Sequence, residues 1–479
     1  MIMNHTDFDI LDGVLSQFAE LCRRPHPSYG EGPLADYVED LLRQRGLSPL
    51  RDGWNNIMAD LPPSPGRETA PLTVIQGHLD MVCAIKPNSG YDPKTSPVVP
   101  VVVDGVLRSD GNSSLGADNN LGNAAALWLT GQDIPHGPIR LLFTTAEEVG
   151  LQGAKKVDPA WLDGAAYLIN TDGFVLGKAI VSSAGGFRET FSRPIEVSPP
   201  SKNAIFSLEL TGFPGGHSGY DIHRGRINPI RLTARWLTDL DVDYELLALN
   251  GGHAENAIPM DCTALLAVDE ADIPSLNKAV DELTRSAQGE LGGHVALNRV
   301  NGAADAPWNR EERNRVLAML TDLFAGVHTW RSEEAGQVSS SSNLGWIKTE
   351  PGQVRLSCFI RASRQEDEDF LSGQHAETAA RNGFDRTTDF YPGWPEKPGN
   401  HLTETLVSVW KELTGADMEV DAVHVGLEPS VLGAKNPAML MVNTGPEIYD
   451  PHSLDERAPL DGLANYVRLL AGTLDRLSR

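Results

Sequence analysis

LTVIQGHLDMV, residues 72–82, is an apolar run that breaks into polar residues at His78 and Asp80. A short continuous apolar segment is the pattern of a strand buried on both faces, and its polar end is where a parallel sheet exposes chemistry. The pattern recurs twice: IRLLFTTAEEVG (139–150) carries Glu147 and Glu148 near its end, and AAYLINTDG (165–173) carries Asp172. Between the first two, GADNNLGNAAALWLT (116–130) reads as a loop carrying Asp118 into a helix. Strand ends bearing His/Asp, Glu/Glu and Asp, with helices between, predict an α/β domain. Its mostly parallel central sheet is flanked by helices and has a site at the carboxyl edge.

From Phe8 to Arg45 apolar residues fall at helical spacing on either side of a turn around Pro25, Pro27 and Gly30, so two helices flank a loop. Near the other end, AMLMVNTG (438–445) reads as a further strand and LDGLANYVRLLAGTLDRL (460–477) as an amphipathic helix, continuing the same domain. Between about Gly186 and Asp389 the texture changes. SLELTGF (207–213), CTALLAV (262–268) and VRLSCFIRA (354–362) read as half-buried strands, with helices from Asn228 to Leu240 and from Ile273 to Leu291. The expected division is therefore a discontinuous catalytic domain, 1–186 and 391–479, interrupted by an inserted α+β domain, 187–390.

Sixty-five acidic against 40 basic residues give a formal charge of −25, which repels nucleic acid and anionic membranes and favours cations. No stretch reaches the ~18 apolar residues of a membrane span. The N-terminal MIMNHTDFDILDGVLSQF lacks the basic region and apolar run of a secretory signal. Cys22, Cys83, Cys262 and Cys358 lie far apart with no C-x-x-C pair, as free thiols in a reducing compartment would. A cytoplasmic protein is expected, with no nucleic-acid or membrane partner.

Two residues apart on a strand, His78 and Asp80 point to the same side, so His78 is a candidate metal ligand and Asp80 a candidate for holding its tautomer. Taken singly, Asp118 is an ordinary helix cap and Asp172 an ordinary turn former. Glu147 and Glu148 say more, because adjacent like charges beside a hydrophobic sheet edge are costly without a cation. As a set, these carboxylates and the imidazole suit one or two divalent ions such as Zn²⁺, Mn²⁺ or Co²⁺.

The motifs GHLDMV, SSLGADNNLG, TTAEEVGLQGA, INTD, GGHSG, NAIP and GPEIYDPHSLDER occur in that order along nearly the whole chain. In them the sequence resembles the M20 metallopeptidases, most closely the bacterial aminoacyl-histidine dipeptidases. Matching is extended by RRPHPSYGEGPLADYVEDLL, DGWNNI and HVGLEPSVLGAKNPAMLMVNTG. Carried over by position, the resemblance implies two divalent ions, zinc first with manganese or cobalt as alternatives. Asp118 would bridge them, His78 and Asp172 would complete one site, and Glu148 and His452 the other.

The same resemblance gives Asp80 the orientation of His78 and Glu147 the role of general base. It makes the inserted domain a lid and a dimerisation domain, so a homodimer is expected. His217 of GGHSG would stabilise the oxyanion, and Asn256 and Arg361 would bind the polar ends of a dipeptide or short peptide, Xaa-His or carnosine-like. His253, Glu255, Met260 and Pro429 differ from what close relatives commonly carry. Competing expectations are another M20-like amidohydrolase (aminoacylase, carboxypeptidase or tripeptidase) and a catalytically silent M20-like binding protein. An aminopeptidase with a related metal domain would lack the domain-sized insertion between Asp172 and His452.

Overall fold

The computed structural model describes residues 5–288, 292–301 and 306–479. They form two compact units: Met1–Ser183 with Trp394–Ala422 and Leu427–Arg479, and Ala184–Gly393 with Val423–Gly426.

The first unit is built on a mixed eight-stranded sheet. Its order is Leu50–Arg51, Ile57–Leu61, Ile139–Thr144, Leu72–His78, Ala165–Asn170, Leu440–Asn443, Lys178–Ser183 and Glu419–Val423. The four strands from Ile139–Thr144 to Leu440–Asn443 run parallel, with Ile75 opposite Leu141 on one side and Ile169 on the other. Antiparallel neighbours flank them at Ile57–Leu61 and Lys178–Ser183. The parallel strands are the ones whose ends carry the acids, as expected when both faces are covered.

A row of buried polar side chains crosses these four strands just below their ends. Asn443 donates to Asn170 Oδ1 (2.6 Å), Asn170 donates to Gln76 Oε1 (2.7 Å), and Gln76 donates to Thr144 Oγ1 (3.1 Å) and to Glu428. Thr144 also donates to Glu428 Oε2 (2.8 Å). Because a one-residue slip would strand every member of such a row in the core, the row fixes strand register directly beneath the site.

Helices cover the sheet for reasons local to their sequence. Asp7–Cys22 opens with a reciprocal cap between Thr6 and Asp9 and buries Ile10, Val14, Phe18 and Leu21 at helical spacing. Each such burial is worth roughly 1.5–3 kcal/mol. Ala117–Leu129 comes closer to the sheet than a side chain on either surface would allow. A Cβ on Gly77 would stand 2.2 Å from Asn119 Oδ1, and one on Gly122 2.5 Å from the Thr171 carbonyl oxygen. This approach carries Asp118 into the gap between strand ends.

The second unit holds a nine-stranded sheet. Its main path runs His294–Arg299, Ala204–Thr211, Cys262–Val268, Tyr244–Gly251, Gln337–Glu350, Gln353–Ala362, Gly185–Pro194 and Asp385–Tyr391, with Gly326–Ser332 added on Gln337–Glu350. The pairings are antiparallel, and Ala204, Phe206, Leu208 and Leu210 alternate inward, leaving one face for the core. Helices Pro229–Asp239, Ile273–Gln288, Arg310–Asp322 and Gln365–Asn382 accompany the sheet, making an α+β unit. The helix read as ending at Leu291 is described to Gln288; residues 289–291 lie outside the described residues. All four cysteines are free. Among the described residues no helix is long and apolar enough to cross a membrane.

Candidate metal centre

His78 is the last residue of its strand, and its main chain is gripped by the helix beside it. Asn123 donates to the His78 carbonyl (2.5 Å) and Asn120 to that of Leu79 (3.1 Å). Its imidazole Nδ1 lies 2.9 Å from the Asp80 main-chain oxygen. A carbonyl only accepts, so Nδ1 carries the hydrogen and the lone pair is left on Nε2.

That lone pair faces anions. His78 Nε2 lies 3.1 Å from Asp118 Oδ1 and 3.5 Å from Asp172 Oδ1. The other oxygen of Asp118 is 2.9 Å from His452 Nε2, which in turn sits 3.0 Å from Glu148 Oε1. One ring nitrogen shares at most one proton, so each imidazole leaves a carboxylate oxygen over. Asp172 Oδ1 and Glu148 Oε1 are buried with no hydrogen-bond partner. The result is two nests of one nitrogen and two oxygens that share Asp118. Ligand atoms of His78, Asp118 and Glu148 lie within 4.8 Å of one another, close enough to hold a metal ion, and the hard oxygens and imidazoles of the whole set suit divalent cations.

Proton chemistry alone balances the cluster badly. Burial pushes the Glu147 and Asp172 carboxyls well above the ordinary range against the pull of the His78 charge, and Glu148 moves the same way. Asp118 goes down, because hydrogen bonds from His452 and His78 outweigh its burial. Burial would lower His452, but Asp118 and Glu148 push it up to about 11. Carboxylates that can ionise only by borrowing imidazolium partners are those a metal ion would satisfy.

The Asp80 carboxylate faces the His78 ring and also holds the turn beyond it. Its Oδ1 is 3.6 Å from His78 Nδ1, while its two oxygens accept the amides of Glu147 (3.0 Å) and Glu148 (3.2 Å) and the hydroxyl of Ser28 (2.7 Å). One residue earlier, Glu31 Oε1 accepts the Ala146 amide at 2.8 Å. Ala146 has φ +50°, so the turn after Thr144 is strained, and three consecutive amides are held by two buried acids.

The second unit carries a polar cluster of its own. His217, on the short strand Gly216–His217, pairs with Ala257. Gly219 donates its amide to His217 Nδ1 (3.2 Å), so the neutral ring keeps its hydrogen on Nε2. Burial, then the charge of Arg361, lowers His217 to about 4. Arg361 is buried, lies over the Phe359 ring and donates from Nε to Ser218 Oγ (3.3 Å), while Ser218 donates its amide to the Asn256 carbonyl (2.8 Å). The Asn256 side chain is exposed and makes no hydrogen bond among the described residues.

The structure thus brings His78, Asp80, Asp118, Glu148, Asp172 and His452 together in one unit, with Glu147 on the same turn as Glu148. His217, Asn256 and Arg361 fall in the other. Reasoning from sequence overlooked Ser28, Glu31, Glu428 and Glu456 around the first cluster and Ser341 and His424 in the second. Ser341 Oγ is 2.7 Å from His424 Nε2, and Ser341 stands opposite Arg361 in register. A buried glutamate inside the apolar run VGLEPSVLG was the available signal for Glu428; one of its oxygens has no partner, and burial raises it to about 7.

Residues 74–476 match the model of peptidase family M20/M25/M40. The chain is 31% identical over 476 residues to the cytosol non-specific dipeptidase of Escherichia coli K12, covering 96% of each. It superposes on the crystal structure of aminoacylhistidine dipeptidase from Vibrio alginolyticus with a TM-score of 0.85 and 28% identity, over 97% of this chain and 96% of that one. Aminopeptidase PepT from Bacillus cereus shares the fold at a TM-score of 0.58 and 15% identity, over 98% and 99%.

Proposed function

This chain belongs to peptidase family M20/M25/M40, and we propose that it cleaves the peptide bond of dipeptides, Xaa-His and carnosine-like ones among them, at a two-metal centre. The observation that carries the reading is Asp118, whose two oxygens each face a different imidazole with a further buried carboxylate beside it. The names of the E. coli and Vibrio relatives, both dipeptidases, support the substrate class.

His78 and Asp172 with one oxygen of Asp118 would hold one ion, and Glu148 and His452 with the other oxygen would hold the second. Zinc is the first choice, manganese or cobalt the alternatives. Such a pair lowers the pKa of a shared water and polarises the peptide carbonyl. Glu147 takes a proton from the attacking water as the water oxygen bonds to the carbonyl carbon. It returns that proton to the nitrogen as the C–N bond breaks. Asp80 holds Glu147 and Glu148 in place through their amides.

In this reading the second unit is the lid. His217, neutral with its hydrogen on Nε2, donates to the carbonyl oxygen as negative charge builds there. Arg361 supplies a buried guanidinium for the substrate carboxylate, and Asn256 a second polar anchor. A homodimer through this unit belongs to the proposal, and light scattering tests it. The free cysteines and the cytosolic E. coli relative support a cytoplasmic location.

The experiment is to strip metal with chelator, add back Zn²⁺, Mn²⁺ or Co²⁺, and assay Xaa-His, carnosine, Gly-Gly and an N-acetyl amino acid with wild type and Glu147→Ala. Restored dipeptide cleavage, abolished in Glu147→Ala with metal retained, is the expected result. Cleavage of the acetylated substrate alone would replace dipeptidase with aminoacylase.

A further inference from the structure

We propose that Glu456 is a positioning residue for the metal centre, locking the main chain of Asp118 from the same closed loop that delivers His452. This rests on reading Asp118 as the shared ligand.

The helix Ala117–Leu129 begins at Gly116, which is left-handed (φ +70°) and has no side chain with which to cap the first amides. Uncapped amides at a buried helix start are costly. A residue more than 300 positions away supplies the cap. Glu456 is buried, and its Oε2 accepts the amides of Leu115 and Gly116, both at 2.8 Å, while Oε1 accepts that of Asp118 at 3.2 Å. Three amides converging on one carboxylate form an anion nest of the kind loops use for phosphate. Here its occupant is the protein's own side chain.

No side chain at position 116 could cap the helix locally, because the left-handed backbone there disfavours one and its Cβ would stand 2.8 Å from Met81 Sδ. The distant cap adds a link that a local one lacks. Tyr449 and Arg457 exchange main-chain hydrogen bonds of 2.8 and 3.1 Å, which closes residues 449–457 into a loop. Within it, His452 reaches Asp118 Oδ2 at 2.9 Å and Glu456 reaches the Asp118 amide. One loop therefore grips Asp118 twice, by side chain and by main chain. Asp118 itself departs from helical geometry (ψ 108°), so its carboxylate is aimed by this local backbone and not by the helix that follows. Removing Glu456 frees that backbone while leaving every proposed ligand present.

The test compares wild type, Glu456→Ala and Glu456→Gln as full chains, measuring bound zinc per chain after desalting and zinc dissociation constants by chelator competition. Metal-free circular dichroism and kcat across a zinc titration complete the set. Glu456→Gln keeps the side chain's size should Glu456→Ala fail to fold. Partners that orient metal ligands typically account for 10- to 100-fold in affinity. The expected result is a rise of that size in the dissociation constants, with the metal-free spectrum unchanged and lost kcat recovered by excess zinc. Excess metal would not recover activity lost to a damaged fold. Wild-type zinc affinity in a folded variant overturns the role of Glu456. Failure of the wild type to bind zinc, manganese or cobalt overturns instead the metal reading on which it rests.

Discussion

Replacing Asp80 by asparagine separates two roles that the same side chain could play. Asparagine keeps one acceptor oxygen and puts an NH₂ where the other stood. In either orientation that NH₂ confronts a main-chain amide, Glu147 or Glu148, that now points at oxygen from 3.0 or 3.2 Å. A stranded buried donor costs about 1–3 kcal/mol. The remaining bonds drop from charge-assisted to neutral, roughly halving their strength, for about 1 kcal/mol more. If about 2 kcal/mol of this falls on the placement of Glu148, affinity at the Glu148–His452 site drops about 30-fold. The His78–Asp172 site should change little, because the His78 tautomer is set by the Asp80 main-chain oxygen at 2.9 Å, which the substitution leaves in place. Stepwise cobalt loading with chelator competition resolves the two affinities. Weakening confined to the His78–Asp172 site would refute the reasoning and restore the carboxylate as the keeper of the imidazole.

Further outcomes follow from the same geometry. His217→Ala should lower kcat by about 10²–10³, the size of an oxyanion donor, with metal content unchanged by elemental analysis. His217 and His424 are lowered from 6.5 to about 4 and about 3, the first by burial and then Arg361, the second by burial, Arg361 and His217. Below pH 6.5 the unfolded chain therefore binds protons that the native one refuses, so stability falls as pH drops and levels off near those values. Each histidine adds about 1.4 kcal/mol per pH unit at most. Calorimetry of metal-free protein between pH 7 and 5 should show a shallower fall for His424→Gln than for wild type; equal slopes would remove His424 from this account. Zinc at about a thousand times its dissociation constant should stabilise the chelator-treated chain by about 4 kcal/mol, seen as a higher unfolding temperature that Asp118→Ala abolishes.

What the sequence revealed and what it hid divide along physical lines. Apolar runs ending in His78, Glu148 and Asp172 were legible as a set, because several acids and an imidazole gathered at buried strand ends are costly without a cation, although Asp172 alone reads as a turn former. Asp118 was harder to place, since an aspartate at a helix start is commonplace, and only its company gave it weight. The mixed character of the sheet was invisible: antiparallel flanking strands such as Ile57–Leu61 are apolar and short like the parallel ones. Braces made from carboxylates to main-chain amides leave no spacing at all. Glu31 lies 115 residues from the Ala146 amide it holds, and Glu456 lies 338 from that of Asp118. Amides carry no sequence identity, so such pairs emerge only in three dimensions.

The far-flung loop that grips Asp118 also orders events during synthesis. When Asp172 has left the ribosome, most of the first cluster exists as chain, yet its last ligand and its brace are about 280 residues away. At ~5–20 residues per second that stretch takes on the order of tens of seconds. A nascent chain in that interval holds His78, Asp118, Glu148 and Asp172 without His452 or Glu456, and so without the means to aim Asp118. If His452 and Glu456 act as proposed, hydrolysis would be withheld until translation has passed residue 456, with most of the second unit, Ala184–Gly393, already made. Fragments released early would be inert toward the cell's small peptides, and any metal they met would find a half-built socket.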